Sequence, residues 1–188
     1  MLILVRHGRT TANARGLLLG RDDPPLDDAG RVQAEQVARV VHADRVISSP
    51  LRRARATAEA IGGPVEIDER WIELDYGALD GTPTAEVPRE TWAEWRADVC
   101  YHPDGGESLV ELSARVDEAC DELLDEATRR DVVVVTHVSP VKAAVAWALG
   151  VGCEVSWRTW VAPASITRIA GGPWGPSLHT FNETAHLA

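Results

Sequence analysis

The 188-residue sequence is poor in lysine and cysteine, and it has no long hydrophobic run. Lys142 is the only lysine, and the three cysteines, Cys100, Cys120 and Cys153, cannot all pair within one chain. No CxxC motif occurs, so the sequence predicts neither a disulfide framework nor a cysteine-rich zinc site, and a reducing, cytoplasmic setting is expected. The longest nearly apolar stretch, residues 143–151, is too short to span a bilayer, which excludes a transmembrane helix there.

Positive charge is also scarce, because 29 acidic residues oppose 19 basic ones and give a formal net charge of −10. A protein with this excess repels phosphate polymers, so general binding to nucleic acid or to an anionic membrane is excluded. The first residues, MLILVRHG, have no basic segment before their short apolar run, and we therefore expect no signal peptide. Apart from Lys142, every basic residue is arginine, the side chain that holds phosphate or carboxylate through paired hydrogen bonds.

Strands and helices alternate along the sequence, and its 45% hydrophobic content is enough for a sizeable core. The patterns predict strands at residues 2–5, 45–48, 65–67, 132–135, 165–169 and 177–181. Helices are predicted at residues 28–42, 50–61, 108–129 and 140–149, with one more near 89–99 inside an irregular insertion at about 71–106. This alternation indicates an α/β fold with a mostly parallel sheet covered on both faces, in a single domain spanning residues 1–188.

A histidine follows each of two predicted strands. Arg6-His7-Gly8 comes after residues 2–5, and Thr136-His137 comes after the four valines at 132–135. Ligands of open α/β sheets bind at the carboxyl ends of the strands, so both histidines lie where a ligand is expected. Arg6 would neutralise an anion there, and Gly8 would let a ligand approach the backbone. Taken singly, each histidine also fits a surface or core position without a ligand.

Two further segments carry charge that fits an anion-binding site. The segment SSPLRRA opens a predicted helix with Arg52 and Arg53, and a helix N-terminus with arginine binds anions, although solvated arginines fit the pattern as well. Glu73 lies in WIELDYG between apolar residues, where a carboxyl group can act as a general acid, although an exposed glutamate fits the position too.

The order of five motifs along the chain resembles the histidine phosphatase superfamily. These motifs are RHG, SSPLRRARATA, ELDYG, GGES and VVVVTH, and the resemblance continues to the terminal NETAHL. The superfamily includes cofactor-dependent phosphoglycerate mutase, fructose-2,6-bisphosphatase and α-ribazole phosphatase. The resemblance implies a three-layer α/β/α sandwich, phosphoglycerate mutase-like, and chemistry that needs neither a metal nor a cofactor.

The resemblance also implies roles for individual residues. His7 would be the nucleophile that takes the phosphoryl group as a phosphohistidine, and Glu73 would be the general acid/base. A neutral nitrogen must attack, so the other ring nitrogen of His7 is expected to donate to a carbonyl, most simply of the backbone. The side chains implied to hold the phosphate group are Arg6, Arg53, His137 and Asn13.

Further residues are candidates for contacts to the rest of the substrate. The residues predicted to line this part of the site are Asn13, Arg9, Gly20, Arg21 and Val138. Arg9 and Arg21 fit equally well as surface arginines, and Val138-Ser139 replaces the Gly-Gly or Gly-Asn of many superfamily members. Four aromatic residues in or beside the insertion fit either stacking on a substrate or internal packing: Trp71, Tyr76, Trp92 and Trp95.

These residues are compatible with three functions. The favoured one is metal-independent hydrolysis of a phosphomonoester, with a small phosphorylated metabolite as the partner. The second is a phosphoglycerate mutase, against which stand the short insertion and Arg9, where mutases typically carry glutamate. The third is a non-catalytic phosphate-binding module of the same fold. The oligomeric state, including a homodimer, is left open by the sequence.

Overall fold

Six strands form one sheet in the computed structural model, which describes residues 1–188. The strands are β1 (Leu2–Arg6), β2 (Arg45–Ser48), β3 (Val65–Ile67), β4 (Val132–Thr136), β5 (Ile166–Gly172) and β6 (Gly175–Glu183). Their order across the sheet is β3-β2-β4-β1-β5-β6. The first four of these in space run parallel, whereas β5 is antiparallel to β1 and forms a hairpin with β6. The predicted α/β fold with a mostly parallel sheet is confirmed.

Helices cover both faces of the sheet. They are α1 (Thr11–Ala14), α2 (Asp28–Val40), α3 (Arg52–Ile61), α4 (Arg89–Ala97), α5 (Leu109–Ala127) and α6 (Val138–Leu149). Short 3₁₀ turns occur at Glu69–Trp71, Gly77–Leu79, Cys153–Arg158 and Ala185–Leu187. None of these helices combines the length and the hydrophobicity needed to cross a bilayer.

The four valines of β4 show why the fold has three layers. Side chains alternate along a strand, so Val132 and Val134 pack in the core beneath α5 and α6, while Val133 and Val135 pack in the core beneath α2 and α3. All four side chains are buried, because β4 lies between β1 and β2 in the middle of the sheet. The sequence prediction of a sheet covered on both faces is confirmed at this strand.

Two differences from the sequence-based expectation affect the site. α1 lies in a segment for which no helix is predicted, and it is held by a capping box between Thr10 and Asn13. α6 begins at Val138, two residues before the predicted start at Pro140. A proline in the first turn is tolerated because the first N–H groups of a helix have no partner within the helix. This earlier start places the first N–H groups of α6 directly after His137.

The insertion packs against the α5 and α6 face of the sheet. Trp71 and Trp95 are fully buried in that core, whereas Trp92 and Tyr76 are only partly buried against it. Trp71 and Trp95 therefore pack internally, whereas Trp92 and Tyr76 keep accessible surface, which stacking on a substrate requires.

Candidate active site

The two histidines that follow β1 and β4 meet at one edge of the sheet. β1 and β4 are neighbouring parallel strands, and their last residues, Arg6 and Thr136, are paired in register. His7 and His137 come next in the chain, and their ring centroids lie 5.0 Å apart in an edge-on arrangement. Both rings are buried.

The tautomer of His7 is set by its neighbours. Its Nδ1 lies 2.7 Å from the carbonyl oxygen of Gly8, to which only a protonated nitrogen can donate. Its Nε2 accepts a 3.3 Å hydrogen bond from Nε of Arg53, so this nitrogen carries the lone pair. The expectation that one ring nitrogen of His7 is held by a backbone carbonyl is confirmed, and Nε2 is the unprotonated nitrogen, whose lone pair the hydrogen bond from Arg53 must release before it can attack.

Gly8 has a role other than the one expected from the sequence. A side chain at Gly8 would place its Cβ 2.4 Å from the carbonyl oxygen of Gly30 in α2. The space beside Gly8 is therefore filled by the backbone of α2 rather than left for a ligand. The N–H of Gly8 donates to the hydroxyl of Thr57, which fixes the loop that carries His7 onto α3.

Two buried arginines flank His7. Arg6 donates from Nη1 to the carbonyl oxygen of Val161 at 2.7 Å, and its buried Nε has no hydrogen-bond partner. Burial lowers the pKa of Arg6 to about 10, so this guanidinium remains charged at neutral pH. Arg53 is held through its two Nη atoms by the carbonyl oxygens of Asp22 and Gly20 at 2.6 Å and 2.8 Å. Neighbouring Arg52 is exposed, so the choice of Arg53 from the motif agrees with its burial beside His7.

Both histidines are neutral at neutral pH. Burial, together with the charges of Arg53 and Arg6, holds the pKa of the His7 imidazole well below its usual range. Burial and Arg53 lower the pKa of His137 in the same way. Its Nε2 bonds the hydroxyl of Ser49 at 2.7 Å, and its Nδ1 has no partner. Positive charge in the cluster therefore comes from the two arginines.

Glu73 supplies the carboxyl group of the cluster, and α6 holds it. Its Oε2 accepts from the N–H of Val138 at 3.1 Å, and its Oε1 accepts from the N–H groups of Ser139 at 3.1 Å and Leu74 at 2.8 Å. The early start of α6 makes this possible, because Val138 and Ser139 are in its first turn, where N–H groups need a partner outside the helix.

An ion pair holds the backbone on the other side of Glu73. Arg115 of α5 pairs with Glu107, with Nε 2.7 Å from Oε1, and donates from Nη2 to the carbonyl oxygen of Glu73 at 3.3 Å. Glu107 belongs to the GGES motif, so this motif supports the Glu73 loop. Ser108 of the same motif caps α5, with its hydroxyl accepting from the N–H of Glu111.

A cavity of about 390 Å³ opens onto the cluster. Five of the predicted site residues line it: Arg6, His7, Asn13, Glu73 and Val138. Asn13 uses its Oδ1 to cap α1, which leaves its Nδ2 for the cavity. Arg53 and His137 do not line the cavity, and both contact the His7 ring from the protein interior.

Three of the predicted substrate contacts do not line this cavity. Arg9 is ion-paired with Asp27 at 2.9 Å, on the side of the loop that faces α2. Arg21 lies 3.7 Å from Asp75 and 3.6 Å from Glu107. Gly20 contributes its carbonyl oxygen to Arg53 and its N–H to Asp80. In this structure Arg9 is hydrogen-bonded to a carboxylate and Arg21 lies near two carboxylates, and their substrate role stays a prediction.

Other cavity residues were not anticipated from the sequence. Lys142, Thr84 and Trp160 all line it. Lys142 is one helical turn after Val138 on α6, so the i,i+4 spacing was a signal that could have placed the only lysine beside the site. Thr84 and Trp160 come from loops that only the tertiary structure brings together. No group of three or more His, Cys, Asp or Glu side chains is placed to hold a metal ion.

The neutral, buried histidines make stability depend on pH. The folded-state pKa values of His7 and His137 lie below the unfolded value of about 6.5, so the unfolded chain binds more protons as the pH falls below 6.5. Their stabilising contribution is complete above pH 6.5. We expect the free energy of unfolding, measured with urea, to fall below that pH by up to about 1.4 kcal/mol per pH unit for each histidine.

The contribution of His137 is separated by comparing the wild type with His137→Gln between pH 7.5 and 5.5. The variant should show a smaller decrease, whereas His42→Gln, which changes an exposed histidine, should match the wild type. Equal pH dependence in all three proteins would contradict the assignment of the effect to the buried imidazoles.

Comparison with known proteins places this arrangement in a family. Among curated proteins, the chain is 35% identical over 218 residues to glucosyl-3-phosphoglycerate phosphatase of Mycolicibacterium vanbaalenii, covering 100% of this chain and 96% of the relative. It is 33% identical over 200 residues to a probable phosphoglycerate mutase of Cronobacter sakazakii, covering 98% and 93%. It spans only about half of other relatives, such as a bifunctional protein of Mycobacterium tuberculosis (33% identity, 99% of this chain and 54% of the relative).

A solved structure shows the same fold. Phosphoserine phosphatase of Entamoeba histolytica, solved as a mutant in complex with phosphoserine, superposes with a TM-score of 0.92 at 27% identity, covering 100% of this chain and 98% of that one. The model of the histidine phosphatase superfamily (branch 1) matches residues 2–184. Since that match includes every motif from RHG at the end of β1 to VVVVTH at the end of β4, the chain belongs to the histidine phosphatase superfamily, branch 1.

Proposed function

We propose that this protein is a metal-independent phosphomonoester hydrolase that acts on a small phosphorylated metabolite through a phosphohistidine intermediate, with residues 1–188 as one catalytic domain. One observation carries the proposal. Nε2 of His7 is unprotonated and lies beside Arg53, and His7, Arg6 and Glu73 line one cavity. A nucleophile, a charge for the phosphate and a proton donor are therefore together at one site.

The first step transfers the phosphoryl group to His7. Nε2 attacks phosphorus, the ester P–O bond breaks, and its electron pair goes to the leaving oxygen, which takes a proton from the carboxyl group of Glu73. In the second step, water attacks the phosphohistidine and gives a proton to the Glu73 carboxylate. The N–P bond then breaks, its electrons return to Nε2, and inorganic phosphate leaves.

Arginine charge stabilises the transition state of both steps. Negative charge spreads over the three equatorial oxygens of the transferring group, so fixed positive charge and N–H donors lower the barrier. Arg6 and Arg53 are already buried and held by carbonyl oxygens, so their charges are in place when the phosphate arrives, and Nε of Arg53 must release Nε2 of His7 for the attack. The unpartnered Nε of Arg6 and Nδ1 of His137 are further polar atoms in the cluster.

Hydrolysis of p-nitrophenyl phosphate in the presence of EDTA tests the proposal. We expect full activity with EDTA and an acid-labile phosphoryl adduct on the peptide containing His7, detected by mass spectrometry after a rapid quench. Activity that disappears with EDTA and returns with a divalent cation would contradict the metal-independent mechanism. An adduct on another residue would contradict the role of His7.

A phosphoglycerate mutase is the second candidate, because relatives carry that name. Both activities would use the same phosphohistidine, and they differ in whether water or a second hydroxyl group accepts the phosphoryl group. Incubation with 3-phosphoglycerate separates the two, since the hydrolase releases inorganic phosphate and the mutase forms 2-phosphoglycerate. We expect phosphate release without interconversion. The relatives named as phosphatases of glucosyl-3-phosphoglycerate and phosphoserine support this order of preference.

A further inference from the structure

A second cavity adjoins the one that opens onto His7. Its volume is about 380 Å³, and most of its lining residues are hydrophobic. The two cavities share several wall residues: Leu18, Tyr76, Thr84, Val138, Lys142 and Trp160. They are therefore neighbouring parts of one cleft. The mechanism proposed above uses only the part that contains His7.

Tryptophans form the far wall of this second cavity. Trp92 and Trp95, one turn apart on α4, are stacked with their ring centroids 5.7 Å apart and their planes at 13°. Trp157 packs edge-on against both, at 6.2 Å and 5.8 Å. Such mutual contacts hold aromatic rings in fixed orientations, so a flat apolar group can bind without ordering the wall first.

Trp160 lies between the two cavities and is 71% exposed. An exposed tryptophan at the mouth of an apolar cavity leaves a large hydrophobic surface in water, which a bound apolar group would cover. Lys142 lines the same boundary and donates from Nζ to the carbonyl oxygen of Ser156 at 2.8 Å. The carbonyl oxygen of Ser156 holds this ammonium group in place. The boundary therefore has a positioned basic group beside the cavity that opens onto His7, and an aromatic wall on its other side.

Glu73 determines which part of a substrate faces the second cavity. Its carboxyl oxygens are bound by the N–H groups of Val138 and Ser139. Both of these residues line the second cavity, which we call the tryptophan cavity. The leaving oxygen must lie next to Glu73 to receive its proton. The carbon skeleton attached to that oxygen therefore starts at the wall shared with the tryptophan cavity.

We propose that the tryptophan cavity binds the leaving group of the substrate, and that the preferred substrates are phosphomonoesters whose alcohol carries a planar aromatic or similarly flat apolar group. The inference rests on the proposed function, because it takes Glu73 as the proton donor. Small polar alcohols, such as those of phosphoserine or phosphoglycerate, would leave the aromatic wall uncovered and would lose the hydrophobic contribution to transition-state binding.

Two alkyl phosphates test the proposal without changing the leaving-group chemistry. Ethyl phosphate and 2-(1-naphthyl)ethyl phosphate both release a primary alcohol, and only the second carries a ring two carbons from the oxygen. We expect kcat/KM for the naphthyl ester to exceed that for ethyl phosphate by about 30-fold or more, the range that burial of an apolar group provides. A ratio near one, or a higher kcat/KM for O-phosphoserine than for the naphthyl ester, would overturn the proposal.

Two tryptophan variants locate the effect. Trp160→Ala should lower the naphthyl-to-ethyl ratio by about fivefold to tenfold, and Trp160→Phe should restore most of it. Trp174→Ala is the matched control, because Trp174 is 98% exposed in the β5–β6 turn and lines neither cavity. An equal decrease in Trp174→Ala, or no decrease in Trp160→Ala, would contradict the placement of the ring.

Binding of unreactive phosphonates separates this inference from the proposed function. 3-(1-Naphthyl)propylphosphonate should bind more tightly than propylphosphonate in a calorimetric titration, and Trp160→Ala should reduce the difference. If neither ester were hydrolysed but this difference remained, the hydrolase function would fail and the aromatic site would stand. Hydrolysis of both esters at equal rates, with equal phosphonate affinities, would refute the aromatic site and leave the hydrolase function intact.

Discussion

Replacement of His7 by alanine should lower kcat/KM for p-nitrophenyl phosphate by more than about 10⁴-fold, the scale seen when a covalent nucleophile is removed. Nε2 of His7 is the attacking atom of the proposed mechanism, and His7 is the only histidine among the residues that line the cavity. Without it, water would have to attack the ester directly. The phosphoryl adduct should also disappear from the quenched protein.

A folded variant is needed for this result to be decisive. His7 is buried, so its truncation leaves a cavity, and His7→Asn is the second variant because it keeps more of the volume. Thermal unfolding of both variants shows whether the fold persists, and His42→Ala, at an exposed histidine, is the matched control with unchanged activity. Folded His7 variants that keep more than about a hundredth of the wild-type activity would refute covalent catalysis by His7.

Replacement of Glu73 by glutamine should slow the enzyme by about 10²–10⁴-fold on alkyl phosphates and much less on p-nitrophenyl phosphate. An alkoxide leaves only if it is protonated as the P–O bond breaks, whereas p-nitrophenolate is stable enough to leave without a proton. Glutamine keeps the shape of the side chain, removes the acidic proton and leaves one of the two oxygens that accept from backbone N–H groups. The size of the effect should therefore increase with the pKa of the leaving alcohol.

A series of aryl and alkyl phosphates measures this dependence as a plot of log kcat/KM against the pKa of the leaving alcohol. The plot should be shallow for the wild type and steep for Glu73→Gln. Glu69→Gln, an exposed glutamate in the preceding 3₁₀ turn, is the control and should give the wild-type slope. Parallel plots for Glu73→Gln and the wild type would mean that Glu73 does not protonate the leaving group.

The part of the fold that follows local patterns was predictable from the sequence. The valines of β4 and the apolar residues of β1 specify buried parallel strands, because only apolar side chains suit a sheet covered on both faces. The start of α5, predicted at residue 108, lies at Ser108, whose hydroxyl satisfies an N–H group of the first turn. α1 was missed because Asn13 takes the place of the usual glutamate or glutamine in the Thr10 capping box.

The site itself was predictable only in part. His7 and His137 could be identified because parallel neighbouring strands end at one edge, and the register of β1 and β4 confirms that they meet there. The orientation of Arg9 could not be predicted. Its guanidinium pairs with Asp27, a residue 18 positions along the chain, and such a pairing depends on how the loop packs against α2.

The sequence by itself therefore determined the family pattern, the α/β layering and the identity of the catalytic candidates, because motif order, hydrophobic periodicity and strand ends are local properties. Only the tertiary structure decided how Glu73 is held by the first turn of α6, which of the arginines reach His7, and that Trp157 joins Trp92 and Trp95 in one wall beside the site. These features join segments far apart in the chain, and packing alone brings such segments together.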